Sequence, residues 1–338
     1  MTVEENISLA SLTTLRAGGN AHTLVRCRSE EEVREALAYA TSKGMSFYVL
    51  GEGSNVLAAP QGFAGVVVRM ETKELSFVDE GTSVLMTGDA GISWDTCVHE
   101  AARRELWGIE NLAGIPGTLG AAPVQNIGAY GTELSQVLHQ VEVLDTTRGT
   151  LESFSLKDCE LGYRDSRFKH DRTLVILRVT VRLRKEGHAR TDYSDLKAAV
   201  AAGADVSTPA HVGDAVRSIR ARKFPDLAEY GTAGSFFKNP IVTDEVFGQL
   251  KDRYGSVPSF PHVSGIKIPL AFILDHILNL RGFRMHRAFL FGAQPLVLVL
   301  EPGGTSEDIE ALAREVEQRV HDATGIRIER EVRSMPTR

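Results

Sequence analysis

Apolar residues at 33, 36, 37 and 40 follow Ser29 and the acidic run Glu30 to Glu32, and Gly44 ends the pattern. That spacing predicts one buried helical face, with Ser29 as N-cap, an acidic first turn and Gly44 as the stop. TLVRCR (23–28) before it reads as a strand, and SFYVLGEGSNVLAA (46–59) reads as strand, glycine turn, strand. GVVVRM (65–70) is a further strand, so the chain opens in a βαβ-like way. Apolar-alternating runs predict strands between 74 and 91, over 141–154 and over 174–185. Helices are expected at 93–106, 208–222, about 241–253, about 269–279 and about 305–323. A polar loop occupies 223–240, PLVLVLE (295–301) is a strand, and IRIEREVR (326–333) reads as the last one.

Two stretches stand outside these periods. Between Trp107 and Glu133 lie glycines 108, 114, 117, 120, 128 and 131, with Pro116 and Pro123 among them. So many glycines weaken both helix and strand, yet the segment is too apolar for a flexible linker. It reads either as a buried, tightly turning backbone that approaches something flat or phosphorylated, or as a connection using glycine for turn geometry alone. Gly51-Glu52-Gly53-Ser54-Asn55 offers successive backbone N–H groups that suit a diphosphate, although a hairpin connection uses the same residues. It is not GxGxxG leading into a helix, which disfavours a Rossmann dinucleotide site.

Composition narrows the picture. A chain of 338 residues with 43% hydrophobic and 24% charged content points to a globular enzyme of two or three domains. Its net charge of -6 argues against nucleic-acid binding. Cys27, Cys97 and Cys159 have neither metal-type spacing nor an even disulfide framework, so no metal and a reducing compartment are expected. MTVEENISLASL lacks the basic start and apolar run of a signal peptide, and no window approaches 18 apolar residues. A soluble, cytoplasmic protein follows, without membrane or nucleic-acid partners.

At GEGSNVL, IPGTLGAAPVQNIGAYG, YRDSRFK, GSFFKNP and the terminal EREVR, the chain resembles the UDP-N-acetylenolpyruvoylglucosamine reductase family (MurB), in order from about Thr14 to Arg333. The resemblance implies an α+β protein: a two-part FAD-binding domain of the vanillyl-alcohol-oxidase (PCMH) type and a C-terminal α+β substrate-binding domain. The divisions expected are 1–71, with 326–338 returning to it, then 72–222 and 223–325. A tyrosine in TDYSDL, between Arg164 and Ser235, is similar to the family's longer subclass, in which a tyrosine-bearing loop closes over substrate. The implied chemistry is cell-wall (peptidoglycan) synthesis. NADPH reduces FAD, flavin N5 gives a hydride to the enolpyruvyl ether of UDP-N-acetylglucosamine, and UDP-N-acetylmuramate results. A monomer with a small sugar-nucleotide substrate is expected.

Residue by residue, the resemblance assigns cofactor binding to Gly51, Gly53, Ser54, Asn55 and Val56. It adds Gly114, Pro116, Gly117, Gly120, Ala121, Gln125, Asn126, Gly128, Ala129 and Tyr130. Ser235 becomes the proton donor, while Arg164 and Glu331 stabilise enolate-like charge. Without the resemblance, Arg164 is a surface arginine paired with Asp165, Ser235 a turn or cap, and Glu331 a solvated charge. Substrate contacts fall to Asn55, Tyr193, Lys223, Asn239, Lys267 and Arg333. Asn20, Glu52, Phe272, His286, Arg287 and Phe291 depart from the usual pattern. Because a diphosphate repels a carboxylate, Glu52 is expected to point away, and His262 and His286 to be ordinary histidines. The alternatives are a reductase of a modified nucleotide sugar, a flavin carbohydrate oxidase of the same fold, or a silent sugar-nucleotide sensor.

Overall fold

The computed structural model describes residues 1–337, so Arg338 of the expected chain-end return lies outside the described residues. The first part contains β1 (Thr2–Ser8), β2 (Asn20–Cys27), α1 (Glu30–Ser42), β3 (Phe47–Leu50), β4 (Val56–Leu57) and β5 (Phe63–Met70). Its sheet runs β1-β2-β5-β3, with β2, β5 and β3 parallel and β1 antiparallel at the edge. The Ser29 side chain accepts from the Glu32 amide, and α1 buries Val33, Ala36, Leu37 and Ala40. Burial of Val33 and Leu37 contributes roughly 1.5–3 kcal/mol each. Gly44 stops the helix at φ +63°, where a side chain would be strained.

The second part contains β6 (Leu75–Asp79), β7 (Ser83–Asp89), α2 (Trp94–Arg103), β8 (Gly128–Ala129), β9 (Thr132–Glu133), β10 (Leu138–Asp145) and β11 (Thr150–Ser155). It continues through α3 (Arg167–His170), β12 (Leu174–Arg184), α4 (Ser194–Ala201) and α5 (Pro209–Lys223). Its sheet, β11-β10-β12-β7-β6, is antiparallel throughout. One hydrophobic core joins it to the first part, running from Val25 and α1 through Trp94 and β12 to Ile219 of α5.

The third part contains β13 (Gly231–Ser235), β14 (Ile241–Val242), α6 (Asp244–Tyr254), β15 (Phe260–His262), β16 (Gly265–Lys267) and α7 (Leu270–Phe272), which widens into a π turn over Ile273–Ile277. Then follow β17 (Arg284–Met285), β18 (Ala288–Phe291), β19 (Gln294–Leu300), α8 (Ser306–Thr324) and β20 (Arg333–Ser334). The sheet β13-β19-β18-β17 packs on α8, which begins at a Thr305/Asp308 capping box and buries Ile309, Leu312, Ala313, Val316 and Val320.

Three expectations change. The strand over 326–333 does not form; Arg330 bridges Phe237 and only Arg333–Ser334 is strand, because the segment changes partners partway. The GEGSN turn is no hairpin, since β4 leaves β3 and pairs in parallel with β20, Val56 opposite Arg333. The edge strand β1 and helix α4 were not foreseen from periodicity.

Candidate active site

The loop between β3 and β4 faces the glycine-rich segment between α2 and β8. Trp94 fixes that segment from below: its indole N–H donates to the Leu112 carbonyl at 2.9 Å and its amide to the Gly117 carbonyl at 2.9 Å. Ser54 Oγ donates to the Pro116 carbonyl at 2.9 Å. A Cβ on Gly51 would lie 2.4 Å from Thr118 Oγ1, so the two loops touch through their backbones. Between them runs a cleft open to solvent. Gly51, Gly53, Ser54, Asn55, Val56, Pro116, Gly117, Gly120, Ala121, Gln125 and Arg333 line it, with Phe47, Trp94, Phe168 and Ile176 as apolar walls.

Glu52 does not turn away. Its Oε2 accepts the Gly117 N–H at 2.8 Å, so the carboxylate braces one loop against the other. Other amides of the glycine segment are also committed within the protein: Gly114 to Asp95 at 2.7 Å, Gly120 to the Ala90 carbonyl at 3.0 Å, and Ala121 to the Thr118 carbonyl at 3.0 Å. What this segment offers the cleft is a face of small residues rather than a nest of free donors. Gly114, Asn126, Gly128, Ala129 and Tyr130 lie outside the cleft lining. Gly114 is held from its carbonyl side by Arg220 at 2.9 Å. Asn126, at φ +42°, is buried and organises the turn, bonding the Gly162 carbonyl at 3.0 Å and the Ser135 amide at 2.9 Å. Gly128 and Ala129 form β8, and burial pushes the Tyr130 phenol up to about 12.

Next to the cleft, three distant parts of the chain meet. Arg164 adopts φ +53°, in a turn where Gly162 N–H donates to the Asp165 carbonyl at 2.9 Å. Its guanidinium donates to the Gly128 carbonyl at 2.6 Å, and its Nε lies 3.1 Å from Glu331 Oε1. That contact is an ion pair without an aligned Nε–H bond. Asp165 is not the partner; it pairs with His170 at 2.8 Å. Glu331 is mostly enclosed, and its amide donates to the Phe236 carbonyl at 2.8 Å, one residue after Ser235. Burial raises the Glu331 carboxyl above the usual carboxylate range, against the downward pull of Arg164, Lys169 and Lys238. Ser235 ends β13 opposite Val297 of β19. Asn55 ties this group to the cleft: its Nδ2 donates to Gln125 Oε1 and to the Glu331 carbonyl, and its own carbonyl accepts from the Arg333 amide at 3.1 Å.

The remaining positions ring this centre. Tyr193, largely exposed, meets the Tyr130 ring edge-on at 5.4 Å. Lys223 pairs with Asp195 of α4. Asn239 Oδ1 accepts from the Leu270 amide at 2.9 Å, and its own amide donates to the Tyr163 hydroxyl at 3.3 Å. Lys267 lies 4.9 Å from the Tyr163 ring, and His262 meets that ring at 6.0 Å, so this histidine belongs to the site's surroundings. His286 is exposed at a φ +50° turn. Phe291 ends β18 opposite Gln294, and Phe272 packs on His276 at 4.9 Å. Sequence reasoning missed Tyr163 and Lys169, although both stand within or beside the YRDSRFK motif, and Arg172 at the cleft wall. Among the described residues no three His, Cys, Asp or Glu side chains cluster as metal ligands, and no helix is long and apolar enough to cross a membrane.

The chain resembles known proteins along nearly its whole length. A family profile described as an FAD binding domain matches residues 21–155, and the profile of the UDP-N-acetylenolpyruvoylglucosamine reductase C-terminal domain matches residues 226–335. The UDP-N-acetylenolpyruvoylglucosamine reductase of Pseudomonas aeruginosa is 37% identical, over 98% of this chain and 98% of its own length. The protein of the same name from Pseudomonas syringae pv. tomato is 35% identical, over 97% and 98%. The crystal structure of the Thermus caldophilus reductase shares the fold, with a TM-score of 0.69 at 24% identity, over 99% of this chain and 100% of that one.

Proposed function

The chain belongs to the UDP-N-acetylenolpyruvoylglucosamine reductase family, and on that premise we propose how its own residues carry the reaction. It is an FAD-dependent oxidoreductase of peptidoglycan synthesis that reduces the enolpyruvyl ether of UDP-N-acetylglucosamine to UDP-N-acetylmuramate. The cleft fits FAD: small residues present a flat face for a ring, and the Gly51–Asn55 loop, whose Glu52 carboxylate is taken up by the Gly117 N–H, is left to receive a diphosphate. FAD held there would supply the transfer of a hydride from NADPH to the substrate's vinyl carbon.

The chain's residues manage charge and the proton. Arg164, whose Nε pair with Glu331 is unaligned, has donor capacity for the substrate carboxylate and stabilises the enolate-like charge that hydride addition creates. Glu331 orients that guanidinium. Ser235 delivers the proton to the adjacent carbon. Tyr193, Lys223, Asn239, Lys267 and Arg333 bind the sugar nucleotide, with α4 and α5 acting as the tyrosine-bearing loop. We divide the chain at about 71 and 222, the first two parts sharing one core and the third carrying Ser235. The enzyme works as a monomer in the cytoplasm, where its nucleotide substrate is made.

The observation that carries this reading is the meeting of Arg164 and Glu331 at 3.1 Å, beside the residue following Ser235, at the rim of the cleft. The purified protein should be yellow and should oxidise NADPH rapidly only with the enolpyruvyl substrate present. A protein that cannot be reconstituted with FAD refutes the reading.

A further inference from the structure

We infer that Lys169 is a positioning residue for the substrate half of the reaction, fixing the backbone of Arg164; this rests on the function proposed above. Arg164 is a non-glycine residue at φ +53°, a conformation that persists only where neighbouring groups enforce it. Lys169 Nζ donates to the Arg164 carbonyl at 3.0 Å, closing the turn on which that guanidinium is mounted. Its own place is fixed on two sides. The Lys169 amide donates to the Ser166 carbonyl at 3.1 Å, and Ser166 Oγ donates to the Val124 carbonyl of the cleft wall at 2.7 Å.

Lys169 has no salt bridge within 4.0 Å among the described residues. The acids whose field it feels, Asp165 and Glu331, are taken by His170 and Arg164. Burial, and next the charge of Lys238, lowers its pKa below the ordinary lysine value. A partly buried amine without a carboxylate of its own is costly, and such groups concentrate at functional sites. The groups whose charge bears on Glu331 are Arg164 and Tyr163 from the turn, Lys169 from α3 and Lys238 beyond β13.

The test separates the two half-reactions of the FAD-loaded enzyme by stopped flow. Lys169→Met should slow reoxidation by the enolpyruvyl substrate about 10²-fold, the cost of a misplaced catalytic group, while flavin reduction by NADPH and flavin content stay at wild-type level. Lys169→Arg, which keeps the charge and a donor, should recover most of the rate. In Lys169→Met the limb of the substrate-half pH profile set by Glu331 should move to higher pH, because one of the cations whose charge lowers its pKa has gone. Equal slowing of both half-reactions, no slowing, an unmoved pH limb, absent rescue by arginine, or loss of flavin from Lys169→Met would each overturn the inference. Wild-type enzyme run alongside keeps the outcomes apart, since its failure to turn over refutes the parent reading instead.

Discussion

Gly51→Ala tests whether the cofactor cleft depends on backbone contact between its two loops. Gly51 lies outside the left-handed region, so alanine is allowed by its backbone. The added Cβ would sit 2.4 Å from Thr118 Oγ1, 3.1 Å from its Cγ2 and 3.3 Å from its Cβ, all atoms of one buried side chain. Overpacking of this kind costs roughly 1–3 kcal/mol. The loops can relieve it by parting when the cleft has no ligand to grip, so the cost should fall on FAD affinity. At about 1.4 kcal/mol per tenfold, the FAD dissociation constant should rise roughly 5- to 140-fold. Quenching of flavin fluorescence on titration into apoprotein measures it, and thermal melting of the apoprotein checks that the fold is unharmed. Thr118→Gly removes every clashing atom, so in the Gly51→Ala background it should return most of the lost affinity. Unchanged affinity in Gly51→Ala, or no recovery in the double variant, would refute the loop-contact argument.

Three further outcomes follow from the site. Ser235→Ala should leave NADPH-driven flavin reduction intact while slowing substrate reduction about 10²–10⁴-fold in single-turnover measurements; equal loss in both would reject the proton-donor role. Glu331→Gln should slow substrate reduction about 10²–10³-fold, and its melting temperature should gain on wild type between acidic and neutral pH. The sign follows from the raised Glu331 carboxyl: wild type loses stability as pH climbs from the ordinary carboxylate range to the raised value, and glutamine does not. A melting difference that is flat with pH would contradict it. Asp195→Asn, which loosens Lys223, should raise the substrate KM roughly fivefold, about 1 kcal/mol, with kcat retained; an unchanged KM removes Lys223 from substrate binding.

What could be read from the chain alone depended on where the stabilising partner lay. α1 was legible because its cap, acidic turn and one-sided apolar face are all local, and β12 because LVILRVTVRLR opens on four apolar residues and then alternates apolar with polar. β1 was not, since most of TVEENIS is exposed and pairing with β2 holds it in place. The 326–333 segment has strand-like residues but a partner at Phe237 and then another at Val56, which no local pattern records. At the site, the motifs singled out Arg164, Ser235 and Glu331, and the fold brings their segments together. Glu52 was misjudged because electrostatic reasoning weighed only the anion and could not see the Gly117 amide across the cleft. Lys169 escaped notice because it acts on a carbonyl, a group every residue carries.

The parallel pairing of β4 with β20 joins Val56 to Arg333, positions 277 apart (333 − 56), and the Met335 amide reaches the Leu57 carbonyl at 2.9 Å. Closing so long a loop carries an entropic cost that grows only slowly with length, but it must be met before the pairing returns anything. The chain end is therefore fastened to the loop after β3 by a clasp whose two halves lie at opposite ends of the sequence. Loosening that clasp should free Asn55 from the chain end and withdraw Glu331 from Arg164 together, so flavin retention and catalytic competence should fall together.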